Sequence, residues 1–339
     1  MGRLGKYASV PANTRNDRLV EAFESLAPFD FRAAQQRRRE SERLPSNLET
    51  ADLAASLRAL RDASRAMRGS SQLALCAEGA RVRKLTSDGA GVWTVEASTA
   101  GTTEVHESKR VFLATGAAPK EPDADMVRRL KEAGIRVLAH DDVVAPDLYA
   151  SLPPLSGVKV ALVGGAHSGM LAAMNVLGAN GEATVAVFDR KPAPRFAEER
   201  DGWIRFDGTG LKGPVALWTR HALANEKRLS YEQIRPEDDL VAVLQDRGAQ
   251  AVAFTVGFEK QRWADEVSYR KKPVGGSHDP RTGRLAPGLH GLGIAYPEYW
   301  TDPSGYTEPR VGFVNHFIKH IGRAYHAALQ EEAEIMSSP

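Results

Sequence analysis

Hydrophobic residues in the first third of the chain follow two different periods. Leucines and a methionine between residues 53 and 67 recur at helical spacing after a capping box, so a helix is predicted there. From residue 81 the period falls to two. The segments 81–85, 92–95 and 104–106 predict a small antiparallel meander, because the Asp-Gly and Ala-Gly pairs between them are typical of turns.

In the remainder of the chain, apolar runs and helical patterns alternate. Buried strands are predicted at 111–115, 160–163 and 183–188, and a similar apolar run begins at residue 251. The segment 117–157 contains several prolines and is expected to be a linker with one short helix. A final amphipathic helix is predicted from Val311 to Glu332.

The turn after the 160–163 strand has the composition of a dinucleotide-binding site. Gly164 can adopt the strained backbone of a tight turn, Ala166 leaves the backbone accessible, and Gly169 lets the helix approach the strand. The fingerprint G-x-G-x-x-G reads G-x-A-x-x-G here, and a plain strand–helix turn is the alternative. The predicted contacts with a pyrophosphate at the helix N-terminus are Gly164, Gly165, Ala166, His167, Ser168 and Gly169.

His167 and Ser168 could donate hydrogen bonds to a phosphate, although Ser168 could equally well only cap the helix. The second strand of the unit ends at Asp189, where an acid that binds a ribose is expected. Asp189 favours the 2′-hydroxyl of NAD, whereas the adjacent Arg190 and Lys191 favour the 2′-phosphate of NADP. The two cations favour NADP slightly, and the alternative is that all three residues simply solvate a strand end.

Composition limits the classes of function. At 339 residues the chain can form two domains, and a net charge of +2 gives no field suited to nucleic acid. The single cysteine, Cys76, excludes an internal disulfide, a redox pair and a cysteine-based zinc site. His316 and His320 have a zinc-like spacing but no third ligand, so no metal is expected. No apolar run approaches the roughly 20 residues of a membrane span, so a cytoplasmic protein without membrane or nucleic-acid partners is predicted.

The order of several short motifs resembles one known superfamily. The segments "FLATGAAP", "VALVGGAHSGM", "AFTVGF" and "PGLHGLGIA" follow one another as in two-dinucleotide-domain flavoproteins, which include flavin-containing and N-hydroxylating monooxygenases and pyridine nucleotide-disulfide oxidoreductases. The resemblance covers roughly residues 75–325. It implies NAD(P)H at 158–190 and FAD near the strand ends. The residues implied at these strand ends are Ala114, Thr115, Gly116, Thr255, Gly257 and Gly293.

The resemblance also implies the domain organisation. We expect an α/β fold in which a Rossmann-like NAD(P)-binding domain, residues 123–287, is inserted in an FAD-binding three-layer ββα domain, residues 1–122 and 288–339. The N-terminal βαβ unit of that domain is missing, because Gly2 and Gly5 are the only glycines before Gly69. A truncated chain and a chain that has lost its FAD site both remain open.

Three further differences from the usual pattern of this superfamily bear on the predicted function. The usual Gly-Asp pair near the last strand reads Gly293-Ile294, and the signature of classical flavin monooxygenases is not found, although His140 lies near the expected histidine. The lack of a cysteine pair removes the disulfide-reductase branch. The prediction is an NAD(P)H-dependent flavin oxidoreductase, or monooxygenase, that passes hydride to FAD and acts on a small molecule, with no catalytic side chain assigned. The alternative is a non-catalytic NAD(P)-binding sensor or interaction protein, or a flavoprotein fragment without FAD.

Overall fold

The computed structural model describes residues 10, 77, 79–149, 152, 154–260, 266–311 and 315–337, with side chains in the last helix from 320 to 331. The helix predicted between residues 53 and 67 lies outside these residues. The chain forms two compact units. Within the described part, we call residues 119–257 the central unit and residues 77–118 together with 258–337 the flanking unit.

Strands and helices alternate along much of the described chain. In chain order, the strands are β1 Arg81–Ser87, β2 Trp93–Thr99, β3 Thr102–Ser108, β4 Val111–Leu113, β5 Ala117–Pro119, β6 Arg136–Leu138, β7 Lys159–Val163, β8 Thr184–Asp189, β9 Glu198–Arg200, β10 Trp203–Arg205, β11 Leu229–Gln233, β12 Ala251–Phe254, β13 Phe258–Lys260, β14 Glu266–Tyr269, β15 Lys272–Pro273, β16 Arg284–Ala286, β17 Leu289–Gly291, β18 Tyr299–Thr301 and β19 Thr307–Pro309. The helices are α1 Ala124–Glu132, α2 His140–Val144, α3 Pro146–Tyr149, α4 His167–Ala179, α5 Gly213–Asn225, α6 Leu240–Asp246 and α7 Asn315–Ser337, with a 3₁₀ turn at Gly293–Ala295.

The central unit is built on a parallel sheet with the strand order β11-β8-β7-β12-β6. Its central strand β7 is buried on both faces, which explains its continuous apolar sequence. Val160 and Leu162 pack on one face with α2 to α5, whereas Ala161 and Val163 pack on the other face with α1 and α6. The strand order reverses between β7 and β12, and ligands of such sheets bind at this switch point, outside the carboxyl ends of the strands.

The linker predicted over residues 117–157 is wrong. This segment supplies β6, which pairs with β12, and the helices α1, α2 and α3, which pack on the sheet. Pro119 is the last residue of β5 and Pro122 lies between β5 and α1, so neither proline interrupts an element. Buried residues such as Leu130 and Leu138 join the segment to the two cores of the central unit.

The predicted meander is confirmed in the flanking unit, where β1, β2 and β3 pair antiparallel. The sheet is larger than predicted, since β14 pairs parallel with β1 and extends the order to β15-β14-β1-β2-β3. The domain boundary therefore differs from the expected 287, because the compact central unit ends at Gly257. Val267 and Tyr269 of β14 pack against the core formed by Leu85 and Trp93, which holds this segment in the flanking unit.

A second small sheet in the flanking unit has the order β16-β17-β4. The parallel pair β17–β4 sets Gly291 opposite Leu113, so the segments that follow these two strands begin side by side. Trp93 is buried and its indole N–H donates to the carbonyl of Pro287 at 2.9 Å, which ties the meander to this sheet. Among the described helices, none is both long and apolar enough to cross a membrane.

Candidate dinucleotide site

The glycine turn between β7 and α4 is shaped by contacts that exclude side chains. Gly164 has φ +106°, and a Cβ atom there would lie 2.6 Å from the carbonyl oxygen of Thr255. A Cβ atom on Gly169 would overlap the carbonyl oxygen of Gly164. Both glycines are therefore required by the close approach of α4 and β12 to the turn, as the fingerprint predicts.

Thr255 fixes the turn from the neighbouring strand. Its side chain is buried, and its hydroxyl lies 2.7 Å from the carbonyl oxygen of Gly164 and 3.0 Å from that of Val163, each of which can accept its proton. Its backbone N–H also donates to Val163. The resemblance implies a cofactor contact at Thr255, whereas the structure shows a hydroxyl that supports the turn. Gly257 follows with φ +96° and open space on its Cβ side.

Asp189 joins the turn to the end of the second strand. One carboxylate oxygen accepts the N–H of Gly165 at 2.6 Å, and the other accepts the N–H of Lys191 at 2.9 Å. Gln233 on β11 donates to the carbonyl of Arg190 at 2.9 Å, which fixes the backbone between these residues. Arg190 itself is exposed. The structure thus brings Asp189, Arg190 and Lys191 next to the turn, and gives the carboxylate a structural task that the sequence did not indicate.

Tyr231 is a residue of this site that sequence reasoning missed. It lies on β11, and its ring occupies the space in which a Cβ atom of Gly165 would stand. Among the described residues its buried hydroxyl has no hydrogen-bond partner. Burial, and secondarily the Asp189 carboxylate, raise the pKa of the phenol, so Tyr231 is neutral. Only the pairing of β11 with β8 brings Tyr231 to the turn, and no local motif signals that pairing.

The first turn of α4 has no side-chain cap. Ala166 is the N-cap residue and forms no side-chain hydrogen bond, so Ser168 does not fill the capping position. The Nδ1 atom of His167 is buried without a hydrogen-bond partner among the described residues. Burial, and to a smaller extent the charge of Lys212, lower the pKa of His167 to about 4, so its ring is neutral at pH 7. An uncapped helix start with free N–H donors is suited to an anion.

The predicted FAD contacts of the flanking unit lie at the ends of β4 and β17. Gly116 and Gly293 have φ of +69° and +78°, and open space lies beyond both on the Cβ side. Ala114 is exposed, and the Oγ1 atom of Thr115 is buried without a hydrogen-bond partner among the described residues. These four residues follow adjacent strands, so the structure groups them at one edge of the small sheet.

Several further aromatic, acidic and histidine residues have contacts within the protein that do not involve the glycine turn. Tyr296 is buried and packs over Gly291, and Glu298 bonds Arg323 at 2.6 Å. His140 is a buried residue of the central unit. His320 is buried, the side chain of His316 is outside the described residues, and no metal-binding cluster occurs among the residues that are described.

We compared the chain with family models, curated proteins and solved structures. No family model matches it. A curated relative, the monooxygenase AgnR1 of Paecilomyces divaricatus, is 30% identical over 239 residues, which are 63% of this chain and 58% of the relative. The match therefore spans little more than half of that relative.

Two solved structures are similar to this chain in fold. The ornithine hydroxylase PvdA of Pseudomonas aeruginosa superposes with a TM-score of 0.58 at 12% identity, over 97% of this chain and 89% of that one. The cadaverine monooxygenase DfoA of Erwinia amylovora, solved with FAD, gives a TM-score of 0.55 at 10% identity, over 98% and 86%. The chain therefore has the fold of the two-dinucleotide-domain flavoproteins, as the order of its motifs predicts.

Proposed function

We propose that this protein is an NAD(P)H-dependent flavin oxidoreductase of the monooxygenase type that acts on a small molecule. The observation that carries the proposal is the uncapped glycine turn at the switch point of the parallel sheet, with Asp189 bound to it. The relation to a curated monooxygenase, and the fold shared with an ornithine hydroxylase and with a cadaverine monooxygenase bound to FAD, support this class of activity.

The residues present fit a nicotinamide dinucleotide. The N–H groups of Gly164 and Gly165 donate to Phe188 and Asp189, so the N–H groups at the uncapped start of α4 are those available to a pyrophosphate. Both oxygens of Asp189 already accept backbone N–H groups. The adjacent Arg190 and Lys191 are therefore the residues that would distinguish the 2′-phosphate of NADP from the 2′-hydroxyl of NAD. This arrangement favours NADP(H) over NAD(H), because two cations suit a 2′-phosphate.

The flanking unit fits FAD in part. Gly116 and Gly293 leave open space at adjacent strand ends, where a ligand could approach the backbone, but the sequence supplies no second glycine fingerprint for the FAD pyrophosphate. When bound, the flavin supplies the redox chemistry, by accepting a hydride from the nicotinamide and reacting with oxygen or another acceptor. The chain itself positions the dinucleotide and keeps the turn rigid.

A second candidate is a non-catalytic NAD(P)-binding sensor or interaction protein, or a flavoprotein fragment that holds no FAD. The distribution of glycine favours it, since only Gly2 and Gly5 precede Gly69. For either candidate we propose a cytoplasmic protein, which is consistent with the single cysteine.

The decisive experiment is the visible spectrum of the purified chain after incubation with excess FAD and desalting. We expect a retained flavin band that NADPH bleaches under anaerobic conditions, faster than NADH does. In the control Gly164→Val, the flavin should be retained but not bleached, because a side chain at this position collides with the backbone of Thr255. Retention of no flavin together with clear NADPH binding would refute the oxidoreductase and favour the second candidate.

A further inference from the structure

The loop from Gly208 to Lys212 ends in a lysine that the fold holds just before α5. The sequence "GTGLKG" lacks the Ser or Thr after lysine that a Walker phosphate loop requires. In the structure Lys212 lies just before α5, with its side chain 18% exposed. Its ammonium donates to the carboxylate of Asp207 at 2.7 Å and to the carbonyl of the same residue at 2.6 Å.

The backbone around Lys212 is anchored to the segment that follows β8. Leu211 is buried; its N–H donates to the carbonyl of Arg195 at 2.8 Å, and its carbonyl accepts the N–H of Ala197 at 3.0 Å. Gly210 lies so close to this segment that a Cβ atom would stand 2.5 Å from the nitrogen of Ala197. Lys212 is therefore held in place by the fold rather than extended freely into solvent.

Two observations direct this lysine toward the start of α4. The helices α4 and α5 pack against each other, and Leu211 and Val215, on either side of Lys212, lie in the same core as Met170 near the start of α4. Burial, and to a smaller extent the charge of Lys212, lower the pKa of His167, the first residue of α4. The Nδ1 atom of His167 is buried and has no hydrogen-bond partner among the described residues. A cation, an imidazole nitrogen without a partner and an uncapped helix start thus meet at one place in the central unit. The cation and the helix start favour a bound anion, and the imidazole nitrogen can donate to it in the Nδ1–H tautomer.

We propose that Lys212 is a pyrophosphate-binding residue of this site, and that Asp207 holds its ammonium until the dinucleotide replaces that carboxylate. The inference rests on the proposed function, since it requires that the turn bind a dinucleotide. A half-buried ammonium needs an anionic partner, and Asp207 provides one in the absence of ligand. The position beside His167, rather than beside Asp189, assigns Lys212 to the pyrophosphate, which NAD and NADP share.

The carboxylate of Asp207 is expected to oppose dinucleotide binding. It competes with the pyrophosphate for Lys212 and repels the incoming negative charge. Replacing it by asparagine keeps an oxygen that can accept from the lysine and removes the charge. Asp207→Asn should therefore tighten dinucleotide binding, whereas removal of the lysine should weaken it.

The test is a calorimetric titration of the full chain with NADP⁺ and, separately, with NAD⁺. We expect Lys212→Met to weaken both by a similar factor of roughly ten to a hundred, the range for loss of one charge-assisted hydrogen bond. The matched control Lys191→Met should weaken NADP⁺ binding alone. Asp207→Asn should bind both dinucleotides a few-fold more tightly.

Unchanged affinity of Lys212→Met for both dinucleotides, or a loss confined to NADP⁺, would overturn the assignment while leaving the proposed function intact. If the unaltered chain bound neither dinucleotide, the proposed function and the role of Lys212 would fail together. Should Lys212→Met not fold, judged by circular dichroism, Asp207→Asn decides the question, since unchanged or weaker binding of both ligands by that variant contradicts the proposal.

Discussion

Substitution of Gly169 tests whether α4 must lie as close to the glycine turn as the structure shows. Replacing it with alanine would normally stabilise a helix by about 1 kcal/mol, because glycine loses more backbone entropy on folding. Here the new Cβ atom would overlap the carbonyl oxygen of Gly164. That oxygen is held by the hydroxyl of Thr255 at 2.7 Å, so it cannot move away without breaking a partly buried hydrogen bond.

Overpacking against such a fixed group costs about 1–3 kcal/mol, and the severity of the overlap points to the upper end of that range. After subtraction of the helix propensity, we expect Gly169→Ala to lower the free energy of unfolding by about 2 kcal/mol. The expected decrease in melting temperature is about 2–4 °C for each kcal/mol. NADP⁺ affinity should fall as well, because the turn and the helix start must separate.

The assay is urea unfolding followed by far-ultraviolet circular dichroism, with a parallel NADP⁺ titration. Gly178 provides a matched control in the same helix, since no atom lies within 4 Å of its Cβ position. Gly178→Ala should therefore be neutral or stabilising by up to about 1 kcal/mol. If Gly169→Ala were as stable as Gly178→Ala and bound NADP⁺ normally, the reasoning on close approach would be refuted.

Three further predictions concern the same unit. Tyr231→Phe removes a buried, unpartnered hydroxyl, so calorimetry should show stability unchanged or raised by up to about 1 kcal/mol; clear destabilisation would reveal a hidden hydrogen bond. Asp189→Ala deprives the N–H groups of Gly165 and Lys191 of their acceptor and should cost about 1–3 kcal/mol in urea unfolding, whereas a smaller loss would mean that water replaces the carboxylate. His167 has a folded-state pKa of about 4, below its unfolded value, so its contribution to stability is complete above pH 6.5 and is lost as the pH falls toward 4. Unfolding of His167→Gln should depend less on pH over that window, and an identical slope would contradict the burial of the ring.

Features encoded in contiguous residues could be predicted from the sequence. The run from Val160 to Val163 indicated a strand buried on both faces, and the glycines after it indicated a tight turn into a helix. The meander was predictable because its strands alternate and are separated by short turns. Each of these features depends on interactions between near neighbours in the chain.

Features that depend on distant pairing could not be predicted. The strand Arg136–Leu138 is too short to have a recognisable period, and it becomes a strand only because Ala251–Ala253 pair with it. The same holds for Glu266–Tyr269, which is stabilised by pairing with β1. In the candidate site, Tyr231 reaches the turn only through the pairing of β11 with β8, and the role that we propose for Lys212 likewise depends on tertiary packing.

The hydrogen bond between Thr255 and Gly164 has a consequence for the synthesis of the protein. The two residues are separated by 91 positions, so the turn leaves the ribosome long before its support exists. At about 5–20 residues per second, this delay is on the order of 5–20 s. During that interval β7 lacks β12 on one side, and its unpaired edge is open to other chains. The nascent protein is thus most exposed to misassembly while β8 and β11 are being made, and the candidate dinucleotide site is complete only when β12 joins the sheet.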